Sequence, residues 1–238
     1  MTTLSKRFYI FIVLFTFISI NFGFSRPLDS PPQAELYAQL ELSKAGLKQE
    51  VFEKAMAGWN RLHATMGASD LLSIADFSQS SNAKRLYIID VKNSRLLYQT
   101  YVAHGRNSGE EYATFFSNKA ESFQSSPGFY LTGEPYMGKH GLSLQLKGLE
   151  AGINDRAEQR AIVLHGADYV SESFIHRFGR LGRSLGCPAV PVELCRPIID
   201  QIKSGSCFFI YVPGADYAAT SKLTHFIKPD YYSSIGSN

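Results

Sequence analysis

The chain has 238 residues, with 24 Lys+Arg against 21 Asp+Glu and a formal charge of +3. Setting aside Lys6 and Arg7, which belong to the leader described next, leaves 22 basic residues against 21 acidic, a balance that excludes an electrostatic nucleic-acid binder. Three cysteines are an odd number, so at least one thiol stays outside any intrachain disulfide.

Lys6 and Arg7 precede an apolar stretch from Phe8 to Ile20, and Gly23-Phe24-Ser25 supplies a small-x-small cleavage site before Arg26-Pro27. The stretch falls short of the roughly 20 apolar residues of a bilayer span, so residues 1–25 read as a signal peptide rather than an anchor. That places the mature chain in the periplasm or another extracytoplasmic compartment, with no stable membrane insertion once the leader is removed. What remains is enough for one domain with a real core and a small accessory segment. A Pro-rich lead runs from Arg26 to Pro32. Residues 33–42 and 48–63 carry Ala, Leu, Glu and Lys at helical spacing, with Leu36, Leu40, Leu47, Val51, Phe52, Ala55 and Trp59 as the buried stripe. Residues 70–81 read as a connector, which completes a helical N-terminal segment and linker over residues 26–81. From Arg85 the period changes: residues 86–91 and 96–102 flank a Lys-Asn-Ser turn as a β-hairpin, and residues 128–132, 142–146, 161–165 and 207–212 read as further strands. Val192 to Ile202 reads as a helix with Cys195, Ile198, Ile199 and Ile202 on its apolar face. The expected fold class is therefore mainly β, with a catalytic domain over residues 82–213 and few helices in it. The tail over residues 214–238 lacks periodicity and reads as loop.

Chemistry concentrates at Cys187, in Gly182-Arg183-Ser184-Leu185-Gly186-Cys187-Pro188-Ala189, and at His165-Gly166, which ends the apolar run Ala161-Ile162-Val163-Leu164. Glycine lets a backbone turn aim a thiol and nearby N–H groups at one point, and an imidazole can take a thiol proton at neutral pH. Cys195 and Cys207 read as buried structural cysteines, with a disulfide between them left open. Rival chemistries are visible in the same residues. His104, His140 and His165 with Cys187 contain a set of zinc-ligand types, but at no recognised ligand spacing. Gly182-Arg183-Ser184-Leu185-Gly186 fits the G-x-S-x-G elbow of serine hydrolases but lacks the strand before and the helix after it. A papain-like order would put the cysteine before the histidine, the reverse of what is found.

Residues 179–190 (Gly-Arg-Leu-Gly-Arg-Ser-Leu-Gly-Cys-Pro-Ala-Val), following Ala161 to Gly166, resemble the L,D-transpeptidase (YkuD-like) catalytic domain, and its murein branch in particular. Val102-Ala103-His104-Gly105, Phe116-Ser117-Asn118, Ser126-Pro127-Gly128, the segment Tyr136 to Gly141 and the segment Gly148 to Asp155 carry the same likeness, which spans about residues 85–212. The resemblance implies a β-rich, sandwich-like fold and a cysteine acyl transfer on peptidoglycan stem peptides, which serve as both donor and acceptor, without a metal or cofactor. The cysteine attacks the carbonyl between an L-centre and terminal D-Ala, and an acceptor amine resolves the thioester. By position, Cys187 is the nucleophile, His165 the base, the Gly166 carbonyl its orienter, and the N–H groups of Gly186 and Cys187 the oxyanion hole. Arg180, Arg183 and Lys139 are candidates for the stem-peptide carboxylates, with Ser184, His140 and His104 lining or bracing the cleft. An enzyme of this class is also an expected carbapenem target.

Three departures from the commoner pattern qualify this. Leu185 stands where that pattern has a histidine, Ala189 where it has Arg or Asn, and the interval from His165 to Cys187 is longer. They bear on acceptor choice more than on covalent chemistry. Resolution of the same thioester by water would make the chain an L,D-carboxypeptidase, and loss of chemistry altogether a peptidoglycan-binding module.

Overall fold

The computed structural model describes residues 32–224; the leader, most of the Pro-rich lead, and His225 with the tail beyond it lie outside the described residues. Helices α1 (Pro32–Gln39) and α2 (Gln49–Met66) come first. Val51, Phe52, Ala55, Met56, Trp59 and Leu62 form the buried face of α2, at the spacing that brings side chains to one side of a helix. Gly67 ends it in a left-handed conformation (φ 64°), with its N–H on Leu62 O. Gly58 has no side chain because the Phe129 ring occupies the space: a β-carbon there would lie 2.1–2.7 Å from three of its atoms.

Eight strands follow: β1 (Leu71–Asp76), β2 (Leu86–Asp90), β3 (Arg95–Thr100), β4 (Gly128–Gly138), β5 (Gly141–Gly148), β6 (Val163–Gly166), β7 (Ala189–Val190) and β8 (Cys207–Tyr211). They hydrogen-bond in the order β3-β2-β1-β8-β4-β5-β6-β7. β1 pairs parallel with β8 and β6 parallel with β7; the other neighbours are antiparallel. The mainly β class with a small helical N-terminal segment is thus the one observed. The core lies where α2 and α4 (Val192–Ile202) cover the sheet. Phe129 stacks on Phe209 with centroids 4.2 Å apart, and Cys195, Ile198, Ile199 and Ile202 face inward from α4.

The structure differs from the sequence expectations in four places. Residues 71–76 are a strand rather than connector. They sit between β2 and β8 with nearly every side chain buried, so no polar alternation marks them. Helix α3 (Glu172–Phe178) lies where the sequence reading has no element; Ser171 caps it by accepting from Phe174 N, and Gly179 ends it at φ 74°. The two-residue β7 follows the cysteine loop. In the expected tail, α5 (Ala215–Thr220) forms because the buried Glu150 accepts hydrogen bonds from Tyr217 Oη (3.1 Å) and Ser221 Oγ while also taking Phe129 N (2.7 Å).

Candidate active site

β6 is held on both sides. His165 pairs with Ser143 of β5 and with Ala189 of β7. Its ring is buried, and Nδ1 lies 3.0 Å from the Gly166 carbonyl. A carbonyl only accepts, so Nδ1 carries the hydrogen and Nε2 keeps the lone pair, the tautomer a general base requires. Burial pushes the His165 pKa below its ordinary value, the Gly166 carbonyl opposes this, and His140 adds to it. The imidazole is therefore neutral at neutral pH. His140 reaches it from the β4–β5 hairpin, whose two-residue turn Lys139-His140 is closed by the Gly138–Gly141 pair. The two imidazoles stack with centroids 4.6 Å apart and planes 24° from parallel.

Cys187 lies two residues ahead of Ala189, the register partner of His165. Its half-buried Sγ accepts from Val163 N at 3.5 Å and donates to Ala161 O at 3.6 Å. Among the described residues no hydrogen bond joins Sγ to His165, and the thiol S–H is directed instead to the Ala161 carbonyl. Burial raises the Cys187 pKa above its ordinary value, while the Val163 N–H, Arg160 and its own N–H pull it down. Both partners are then neutral at pH 7, the starting state for base-assisted attack.

The loop around the thiol is tied by buried serines. Ser184 Oγ donates to Cys187 O (2.6 Å) and accepts from Gly186 N (3.0 Å). Ser125 Oγ donates to Gly186 O and accepts from Gly105 N, each at 3.0 Å. Gly105 and Gly186 approach so closely that a β-carbon on Gly105 would stand 2.9 Å from Gly186 Cα. The segments that flank this loop are equally constrained. Asn154 donates to Pro127 O and Phe129 O, both at 3.0 Å, and accepts from Glu150 N.

The other sequence candidates divide. Arg180 and Arg183 both grip Glu110, at 2.8 and 2.7 Å, and Arg183 also donates to the carbonyls of Arg106 and Gly109. They fasten one loop to another instead of standing free as carboxylate receptors. His104 is buried away from the cleft. Its Nδ1 accepts from Arg85 at 2.8 Å, and burial, with Arg85 adding, pushes its pKa down to about 3. It braces the fold. Lys139 and His140 are exposed on the hairpin tip. Gly186 N–H, expected in the oxyanion hole, is already given to Ser184. Ser184 is buried with its hydroxyl on Cys187 O, and no strand precedes it, which removes the geometry of a serine elbow. No group of three or more His, Cys, Asp or Glu side chains converges among the described residues, since His104 points to Arg85 and His140 covers His165. All three cysteines are free thiols.

Two features were not singled out from sequence. Tyr169, whose carbonyl accepts Gly182 N, lines a cavity of about 520 Å³ with His140, Gly166, Asp168 and Arg196. Arg160 lies behind the cysteine loop. Only its place before an apolar strand marks it in the sequence.

A model of the L,D-transpeptidase catalytic domain matches residues 43–211, so the likeness extends back through α2. No curated protein sequence matches the chain. Among solved structures it is similar to an L,D-transpeptidase from Mycobacterium smegmatis, at 10% identity over 60% of this chain and 59% of that one (TM-score 0.37). It is similar to an L,D-transpeptidase from Xylanimonas cellulosilytica at 13% identity over 76% and 94% (TM-score 0.35). It is also similar to the helical cell shape determining protein of Campylobacter jejuni at 12% identity over 71% and 58% (TM-score 0.40). The chain thus spans about three fifths of the length of the first and last of these relatives. Among the described residues no helix is long and apolar enough to cross a membrane.

Proposed function

The chain belongs to the L,D-transpeptidase catalytic domain family, and from that premise we propose that it is a cysteine-dependent peptidoglycan L,D-transpeptidase, exported by the leader at residues 1–25. The observation that carries the reading is the register that sets a neutral His165, fixed by the Gly166 carbonyl, opposite Ala189, two residues after the free thiol of Cys187.

The chemistry runs as follows. The S–H bond breaks as its proton passes to His165 Nε2, and the sulfur's electron pair attacks the carbonyl carbon between the L-centre and D-Ala. The backbone N–H of Cys187 is the donor we assign to the developing oxyanion. Gly186 N–H joins it only if Ser184 turns away. Collapse breaks the C–N bond, and D-Ala leaves as an amine with the proton returned by His165. An acceptor amine then attacks the thioester; His165 takes its proton and returns it to the departing sulfur, regenerating the thiol. We assign the stem-peptide carboxylates to Lys139 at the exposed hairpin tip and to Arg196 beside the cavity next to Gly166, with His140 covering the base.

The test is the intact mass after incubation with a carbapenem, which acylates through the same carbonyl attack. A mass increase in the wild type that is lost in Cys187→Ala supports the nucleophile. No adduct, or one retained in the variant, removes it. Incubation with a disaccharide-tetrapeptide then separates the outcomes: cross-linked dimer with released D-Ala is transpeptidation, and D-Ala without dimer is carboxypeptidation. Neither product, with wall binding unaffected by Cys187→Ala, leaves a binding module.

A further inference from the structure

Arg160 plays no part in the mechanism above, yet its surroundings are unusual. It is half-buried one residue before Ala161, the residue whose carbonyl holds the Cys187 thiol. Its guanidinium makes four hydrogen bonds, all to neutral oxygens: Nη1 to Ser117 O (2.8 Å) and to Ser126 Oγ, and Nη2 to Gln124 O (2.6 Å) and Ser122 Oγ (3.3 Å). Among the described residues no carboxylate lies in salt-bridge reach of it. The other arginines behind the loops differ, since Arg180 and Arg183 share Glu110 and Arg85 feels Asp76. Withdrawing a guanidinium from water without a counter-ion is costly, and four donors spent on neutral groups fix its place without cancelling its charge.

That charge faces the cysteine loop. Nη2 lies 3.3 Å from where a β-carbon on Gly186 would stand, against the peptide that leads into Cys187. The Cys187 sulfur is the group nearby that becomes negative, either as thiolate or next to the oxyanion it creates. A cation packed against that loop favours an anion on it, and its effect is least screened where water is partly excluded.

We propose that Arg160 is a positioning residue of the reaction: held by the loop over residues 117–126, it supplies the uncompensated positive charge against which the Cys187 sulfur ionises. The step needs no further reactant. The S–H bond breaks, the electron pair stays on sulfur and the proton leaves to His165 or to water. The inference rests on Cys187 being the nucleophile, and its test does not depend on any peptidoglycan substrate.

The measurement is the pH dependence of iodoacetamide alkylation at Cys187, read by peptide mass for the wild type, Arg160→Gln and Arg160→Lys. Losing the charge moves the midpoint of the Arg160→Gln profile up by about one pH unit. Its rate at pH 7 falls about three- to tenfold, the smaller figure allowing for the greater nucleophilicity of a less acidic thiol. Arg160→Lys keeps the charge while losing the fork, so its midpoint stays with the wild type even though its melting temperature drops. If Arg160→Gln does not fold, Arg160→Lys alone decides: a folded protein whose midpoint rises by a full unit overturns the charge role. Equal midpoints in all three proteins overturn it as well and leave Arg160 a brace. A wild type that alkylates normally but takes no carbapenem would count against the transpeptidase reading and not against this one.

Discussion

Replacing Gly186 with alanine separates the geometry of the cysteine loop from the mere presence of a thiol. Gly186 has φ 129°, a conformation that L side chains rarely adopt, and its new β-carbon would stand 2.9 Å from Gln124 O, 3.2 Å from Ile162 Cδ1 and 3.3 Å from Arg160 Nη2. The nearest of these is backbone and cannot swing aside, so the loop itself must shift. The conformational strain alone amounts to about 1–3 kcal/mol. Leu185 is 57% exposed, so the loop has an outward direction in which to relax, and the strain becomes displacement of the sulfur rather than unfolding. Misplacing a reacting atom by about 1 Å costs on the order of 100-fold. The expected result is a carbapenem acylation rate lowered by about two orders of magnitude, with a melting temperature lower by only about 2–12 °C. A time course of intact mass beside a thermal melt gives both quantities. Acylation within a factor of a few of wild type would refute the reasoning, because it would mean that the loop tolerates the side chain without moving Cys187.

The remaining predictions concern stability and protonation. Gly58→Ala gains about 1 kcal/mol of helix propensity but drives a methyl into the buried Phe129 ring, an overpacking worth about 1–3 kcal/mol. The melting temperature should therefore fall, and a rise would show that Phe129 can yield. Ser184→Ala should still form the carbapenem adduct, more slowly than wild type, whereas Cys187→Ala should form none; the reverse pattern would restore a serine nucleophile. For the acylation rate, a His165 pKa below its ordinary 6.5 means that the base is already free at pH 7. The rate should climb to a plateau with its half-rise below pH 6.5, and a half-rise above neutrality would contradict the neutral-pair starting state. His104 sets a stability slope. Its folded pKa of about 3 against an ordinary 6.5 means that, as pH falls through this window, the unfolded chain binds a proton that the folded chain refuses. Stability should drop by roughly 4 kcal/mol across the window, and the slope should flatten in His104→Gln, as measured by urea unfolding at a series of pH values.

How much of this was legible in the sequence depends on whether the signal was local. The stripe from Val51 to Trp59, the helix Val192–Ile202 and the strand Cys207–Tyr211 were readable because burial and period coincide within a single element. β1 was not, because a strand buried on both faces loses alternation, and Ser73 and Asp76 gave it a polar look although both are buried. The same limit governs the site. Cys187 and His165-Gly166 stood out by residue type and by resemblance, whereas the surroundings of Arg180 and Arg183 did not, because their partner Glu110 lies some seventy positions upstream. The pairing of His104 with Arg85 likewise depends on a fold-level contact. Arg160 serves Ser117 and Gln124 across gaps of 43 and 36 positions, and nothing in its immediate neighbours announces that. Ser184 reads from sequence as a rival nucleophile or substrate contact, and only the fold makes it a clasp between Gly186 and Cys187.

The parallel pairing of β1 with β8 has a kinetic consequence. The centre of the sheet joins residues 71–76 to residues 207–211, the first and last strands in chain order among the described residues. Until Tyr211 has emerged, β1 has β2 on one edge and bare hydrogen-bonding groups on the other, and β4 has no strand linking it to β1. Such long-range closure is slow, and an incomplete sheet with an open apolar edge is prone to aggregate. Closure of the sheet is therefore a late event in the synthesis of this chain. The half of the sheet that carries the cysteine loop, β4 to β7, meets the half built from β1 to β3 only when β8 enters between them.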